Sequence, residues 1–466
     1  MKKNNKIEKM TLYRMIWRWH FYAGLFVMPM VILLALTGAV YLFKPQVERW
    51  EERAFQNLPL AGAVSANVQM DAALEAVPGA ILHSYRLPER PGDAAMVHLA
   101  LADGKTMRDV FVSPQGKVLG VLDPDQRVME IVHDLHGQLM IGRPGSWVVE
   151  LAASWAIVMI LTGVVLWWPR GRGFAGTFWP RLGKGRQTFW RDLHAVTGFW
   201  VAGLAMVLLL TGLPWADVWG SAFKAVRSEL GWVKGQQDWT VGGQSAEMAE
   251  HADHQPHDHM AMMAHARAPS AAGGGVSLAQ IVAKAEAQRL PFPVLVVPPG
   301  APQAFGAPPK MDWTVRSDTQ NRPLRLTISY DAMKGEETGR EVFADKHVID
   351  QVVGYGVAWH EGQLFGPVNQ AIGALTAIAL VGMSVTGFIL WRRRRPQGQL
   401  GAPASIDAPR HGPVVLAVIG LLFCLLPLFA GSLLMILFVE RFVLRRFPVI
   451  ARWLGLVHGE GEGKRS

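Results

Sequence analysis

Four histidines recur at matched spacings, each near the head of an apolar segment. The pattern H-x3-G-x12-T-G runs from His20 through Gly24, Thr37 and Gly38, and again from His194 through Gly198, Thr211 and Gly212. The pattern H-x25-T-G-x3-W runs from His136 through Thr162, Gly163 and Trp167, and again from His360 through Thr386, Gly387 and Trp391. Ionisable residues at a membrane edge are unfavourable and mark function. Two imidazoles reaching from different helices at one depth are the usual axial ligands of a b-type haem in a helix bundle. The single cysteine, Cys424, excludes an intramolecular disulfide, a Cys-ligated iron–sulfur cluster and covalent c-type haem attachment. Any haem must therefore be held noncovalently, by histidine or methionine.

The elements that position these residues are membrane segments. Half of the chain is hydrophobic and 18% is charged, which fits a polytopic membrane protein with sizeable polar regions. The net charge of +9 sits beside the apolar segments: Lys2 to Arg18 before the first, Arg170 to Arg191 after the second, Arg392 to Arg395 after the fourth. That is the positive-inside distribution rather than a nucleic-acid surface, and it predicts a multi-pass protein of the bacterial inner membrane with a cytoplasmic N-terminus.

In order, the reading is a cytoplasmic stretch 1–19, a first crossing 20–43, an external module 44–146 and a second crossing 147–168. A basic loop 169–192, a third crossing 193–215, a second external module 216–366 and a fourth crossing 367–391 follow. A loop 392–412, an apolar stretch 413–440 and a tail 441–466 complete it. The first crossing is too long for a signal peptide, and no small-x-small cleavage site follows it. The stretch 413–440 contains Pro427. It reads either as a fifth span, which places the basic tail outside, or as a re-entrant hairpin, which keeps it inside. Gly171 to Gly176 matches G-x-G-x-x-G formally but follows a membrane helix, not a strand, and reads as loop.

Each external module reads as a helix followed by an antiparallel hairpin. The first has a short helix near Asp71 to Val77, strands at Met96 to Leu101, Arg108 to Val112 and Lys117 to Leu122, and a turn at Ser113-Pro114-Gln115-Gly116. The second has a helix at Leu278 to Gln288, strands near Trp313 to Arg316 and Leu324 to Tyr330, and a hairpin closing with Glu341 to Phe343.

Topology pairs His20 with His194 near the cytoplasmic face and His136 with His360 near the outer face. His133, one turn before His136 on the same face, is an alternative outer ligand. Gly24 and Gly198, one turn below their histidines, would leave room for a flat porphyrin, and the Thr-Gly pairs read as helix-packing positions. Arg14 and Arg18 are either propionate partners or simple topology signals. Within the insertion 242–275, His251, His254, His257, His259 and His265 interleave with Met248, Met260, Met262 and Met263. Imidazole with thioether suits copper, and imidazole alone suits zinc or nickel; a solvated low-complexity linker is the alternative.

These motifs together resemble the PepSY-associated transmembrane helix family. The resemblance rests on Trp17-Arg18-Trp19-His20 with Gly24, His133-Asp134-Leu135-His136-Gly137, Trp190-Arg191-Asp192-Leu193-His194, His360 with Gly362, the Thr-Gly-x3-Trp endings and the hairpin around Ser113 to Gly120. It implies an α-helical polytopic membrane protein of four or five transmembrane helices in two repeated halves, with two small α+β PepSY-like periplasmic modules. It also implies two haem b groups and a haem-dependent ferric-siderophore reductase, an oxidoreductase of iron uptake. Ferric siderophore would be the substrate, with a quinol or a cytoplasmic flavoprotein as electron donor and membrane lipid around the helices. Relatives with a fused flavodoxin or flavin-reductase domain differ from this chain, which has neither. Two other expectations compete: a copper- or metal-handling protein working through the His/Met insertion, and a PepSY interaction or inhibitor module on a membrane anchor.

Overall fold

A computed structural model describes residues 2–101, 103, 106–169, 174–232, 275–301, 310–403 and 413–456. The His/Met cluster, His251 to His265, lies outside the described residues. In chain order, helices α1 Lys2–Tyr41, α2 Lys44–Glu51 and α3 Ala66–Ala76 precede strands β1 Ile81–Arg86, β2 Ala95–Ala100, β3 Met107–Val112 and β4 Val118–Leu122. Helices α4 Val128–Gln138, α5 Arg143–Trp167, α6 Arg186–Gly212, α7 Asp217–Glu229 and α8 Leu278–Gln288 follow. Then come β5 Val294–Val297, β6 Trp313–Ser317, β7 Leu326–Tyr330 and β8 Glu337–Val342, and helices α9 Val348–His360, α10 Pro367–Arg394, α11 Pro413–Leu425, α12 Pro427–Phe438 and α13 Pro448–Trp453.

The chain divides into a helical unit, Met1–Ala39, His136–Ala222 and Ile372–Ser466, and a sheet unit, Val40–Leu135 and Phe223–Ala371. Among the described residues five stretches are long and apolar enough to cross a membrane: Thr11–Tyr41, Arg143–Trp167, Arg186–Trp215, Pro367–Arg394 and Pro427–Arg446. Gly142 at φ +66 turns the chain into α5, where Pro144 in the first turn sacrifices only an N–H that has no intrahelical acceptor.

After α10 the helical unit closes on itself. Leu426 leaves helical geometry between α11 and α12, where Pro427 cannot continue the preceding turn. The carbonyl of Leu425 accepts from Trp219 Nε1, and Ser432 Oγ accepts from Trp155 Nε1. Leu426 and Phe429 pack among Ile157, Val158 and Leu213. At the other end, Arg18 donates to the carbonyls of Pro403 and Gly455, and Tyr22 donates to that of Leu454. Both ends of the segment that follows α10 therefore lie at the Arg18 end of α1. Arg18 is thus engaged with backbone carbonyls.

In the sheet unit eight strands among the described residues form one antiparallel sheet in the order β4-β3-β2-β1-β5-β6-β7-β8. Two modules with separate sheets are expected from the sequence; instead β1 pairs with β5, Tyr85 opposite Val296 and Arg86 opposite Leu295. Each four-strand series leaves one open inner edge, and pairing the two edges satisfies both rows of backbone groups. Helices α3 and α8 cover one face, over a core that includes Met70, Val97, Val110, Ile281, Val296, Val315 and Trp313. Ser277 and Gln280 form a capping box that starts α8. The predicted turn at Ser113 is present, with Gly116 at φ +80 and Ser113 Oγ accepting from Lys117 N–H.

The opposite face of the sheet carries charge. Glu52 accepts from Arg86 at 2.7 and 3.0 Å and from Arg127 at 2.7 Å. These guanidinium groups hold its carboxyl below the usual range despite burial. His98 Nδ1 lies 2.5 Å from Asp109 Oδ1, and the His83 ring stands edge-on to His98 with centroids 5.1 Å apart. Burial, together with nearby His98 and Arg316, pulls the His83 imidazole down to about 3.

Candidate functional site

Three of the four repeated histidines share one local arrangement. His20 Nδ1 lies 3.1 Å from Thr162 Oγ1 and 3.1 Å from the Met159 carbonyl, both on α5. His194 Nδ1 lies 3.1 Å from Thr386 Oγ1 and 3.2 Å from the Met383 carbonyl, both on α10. His136 Nδ1 lies 2.9 Å from Thr37 Oγ1 on α1. The threonine is in every case the one preceding the repeated glycine.

The direction of these bonds follows from where each hydroxyl sends its proton. Thr162 donates back to the Val158 or Met159 carbonyl at 2.8 and 3.0 Å, Thr386 to Met383 at 3.0 Å and Thr37 to Leu33 at 2.9 Å. Each Oγ1 is thereby left to accept, and a carbonyl can only accept. The carbonyl contacts therefore put the ring proton on Nδ1 in His20 and His194, and donation by Thr37 to the Leu33 carbonyl favours the same tautomer in His136. In a neutral imidazole that places the lone pair on Nε2, the tautomer that ligates a metal. Every hydrogen bond that His20 and His194 make among the described residues engages Nδ1.

The glycine after each threonine admits the ring. A Cβ on Gly163 would stand 3.1 Å from His20 Cε1, one on Gly38 3.1 Å from His136 Cε1, and one on Gly387 3.4 Å from His194 Cε1. The Thr-Gly pairs therefore do more than pack helices: the hydroxyl orients a histidine on another helix, and the absent side chain lets that ring approach. At Gly24 and Gly198 the missing side chains face flexible ends of methionines, Met159 Sδ at 3.7 Å and the Met383 methyl at 3.1 Å.

His20 and His194 belong to one unit, and His194 lies within electrostatic range of His20. His136 sits at the start of the helical unit's second segment, whereas His360 is the last residue of α9 in the sheet unit. Thr211, the fourth repeated threonine, donates to the Val207 carbonyl at 2.7 Å, so its oxygen too is left to accept. His133 is in a different setting. Its Nδ1 stands 3.8 Å from Glu130 Oε1 and 3.7 Å from Asp134 Oδ1, with the Tyr41 ring 5.8 Å away. Asp134 foremost, with Glu130, holds its imidazolium above the usual range.

The family match covers the stretch that holds all of these residues. Residues 17–394 match the family described as the PepSY-associated TM region. The chain belongs to that family. With its apolar helices, this PepSY-associated protein is a multi-pass helical membrane protein. No curated protein matches the chain.

The donor set fits haem iron. Imidazoles held as the Nδ1–H tautomer on neighbouring apolar helices suit a low-spin iron porphyrin of the noncovalent b type.

Proposed function

We propose that this PepSY-associated protein is a di-haem b reductase of the bacterial inner membrane that passes electrons across the bilayer to ferric iron in siderophores. Its N-terminus is cytoplasmic, its two repeated halves each contribute two histidines, and its PepSY-like modules are periplasmic. His20 and His194 hold one haem near the cytoplasmic face; His136 and His360 hold the other near the outer face. Haem b bound at such sites supplies a one-electron carrier. The observation that carries the reading is the Nδ1–H hydrogen bond from His20, His136 and His194 to a threonine on another helix.

The residues have two tasks. Thr162, Thr37 and Thr386 fix tautomer and ring direction with neutral acceptors, so the rings need no carboxylate partner. Gly163, Gly38 and Gly387 let the rings approach a neighbouring helix without displacing it. A quinol or cytoplasmic flavoprotein supplies the electron, and iron(III) bound by hard oxygen donors takes it up to become iron(II), which those donors hold weakly. No proton-transferring side chain is required at the substrate.

The test is an absorption spectrum of detergent-purified protein, oxidised and dithionite-reduced, with haem quantified per chain. Two noncovalent low-spin b-type haems are expected, and electrons should pass from the reduced protein to a ferric siderophore. Absence of haem from protein made with an adequate haem supply would overturn the proposal.

A further inference from the structure

His133 is set apart from the haem-ligand arrangement and has its own constellation. Glu130, His133 and Asp134 each offer a ligand atom, and these atoms all lie within 4.8 Å of one another. They project from one face of α4 at spacings of three and four residues, where helical side chains meet. All three residues are partly exposed, with His133 Nδ1 itself covered beneath the ring's outer edge. His133 Nδ1 makes no hydrogen bond among the described residues, since both carboxylates stand beyond hydrogen-bond range at 3.7 and 3.8 Å. The imidazole faces both carboxylates at ion-pair distance, so a cation that displaces its ring proton would find one nitrogen and two carboxylates already gathered.

The surrounding charges agree. Lys44 lies within electrostatic reach of Glu130 and His133, but its ammonium is paired with Glu48. Asp125 adds further negative potential. Arg127 is held by Glu51 and Glu52. Burial holds the Glu130 carboxyl above its usual range, and the two carboxylates hold the His133 imidazolium above its own. Local negative charge thus exceeds the positive charge placed to meet it.

We infer that Glu130, His133 and Asp134 form a binding site for a divalent first-row cation on α4. One imidazole and two carboxylates suit manganese(II), iron(II) or zinc(II), and lack the thiolate or thioether that copper(I) prefers. Bonds of about 2.1 Å put neighbouring ligand atoms about 3 Å apart, so each group moves inward by less than about 1 Å on binding, within ordinary side-chain freedom. If the reductase reading is right, the iron(II) it releases is the physiological occupant; the cation site itself does not depend on that.

Manganese(II) is the probe, because it favours oxygen donors over the thioethers of the His/Met insertion. Full-length protein in detergent is titrated with manganese(II) and free ion is followed by electron paramagnetic resonance. Wild type should hold one more manganese(II) per chain than E130Q/D134N, and H133Q should bind at least tenfold more weakly. Equal occupancy in wild type and double variant would overturn the site. Should the double variant fail to fold, the wild-type ion still decides: its pulsed spectrum should carry nitrogen modulation that H133Q lacks, and unchanged modulation would overturn the assignment. Haem content is read on the same samples and should stay at the wild-type level in all variants. Loss of haem in H133Q with unchanged manganese binding would refute the cation site and make His133 a haem ligand. Absence of haem from wild type with manganese binding intact would sink the reductase reading alone.

Discussion

Three histidines of the helical unit and two of the sheet unit face opposite kinds of group. In the helical unit His20, His136 and His194 donate to neutral threonine hydroxyls. In the sheet unit His98 meets Asp109, and His133 stands between Glu130 and Asp134. A neutral acceptor orients a ring without drawing a second proton to it, which leaves Nε2 available in an apolar setting. A carboxylate makes the ring more basic, which suits a polar surface and is unfavourable among apolar helices. The difference teaches that histidine count is a poor guide to function; the partner of Nδ1 separates the roles.

The most direct way to break this comparison is to remove a ring. His194→Ala should abolish one haem per chain while the protein remains inserted, checked by pyridine haemochrome assay and membrane fractionation. Removing only the neutral acceptor tests the orienting role. Thr162→Val keeps the shape and deletes the bond to His20, and should weaken haem retention about 10- to 100-fold, measured as haem transfer to apomyoglobin. Crowding the ring gives a graded version. Gly163→Ala places a methyl 3.1 Å from the His20 ring and Gly387→Ala one 3.4 Å from the His194 ring, so the first should lose more haem than the second on mild heating.

The smallest effect belongs to the sheet unit, where His83 Nδ1 has no hydrogen-bond partner among the described residues. Its ring takes a proton at about 3 in the fold against 6.5 ordinarily. Between those values the unfolded chain binds more protons, so stability is full above about pH 6.5 and falls as pH drops towards about 3. His83→Gln should flatten that slope, seen as a smaller difference between melting curves at pH 7 and pH 4.5.

Much of this was legible in the sequence, and what was not has identifiable causes. The helices α5, α6 and α10 are written in apolar length, and the histidines and glycines in their repeat. The orienting role of Thr37, Thr162 and Thr386 was not read, because the bond joins residues 99 to 192 positions apart and a one-dimensional pattern shows only that threonine precedes glycine. β1 escaped notice because His83 sits at an irregularity between Leu82 and Ser84 that breaks the alternation. β5 spans four residues, too short to stand out. Their pairing links positions more than 200 residues apart, a distance over which local propensity carries no information.

That β1–β5 pairing also sets an order on how the protein is made. Synthesis completes β1 to β4 first, then α5 and α6, and only afterwards β5. During that interval β1 has its antiparallel neighbour β2 on one side and an unclaimed row of backbone groups on the other. The half-sheet must wait, exposed to mispairing, until two further helices have been delivered to the bilayer. Closure of the sheet is therefore a late event that reports on membrane insertion: a chain in which only one of α5 and α6 crosses leaves β5 on the other side of the bilayer from β1.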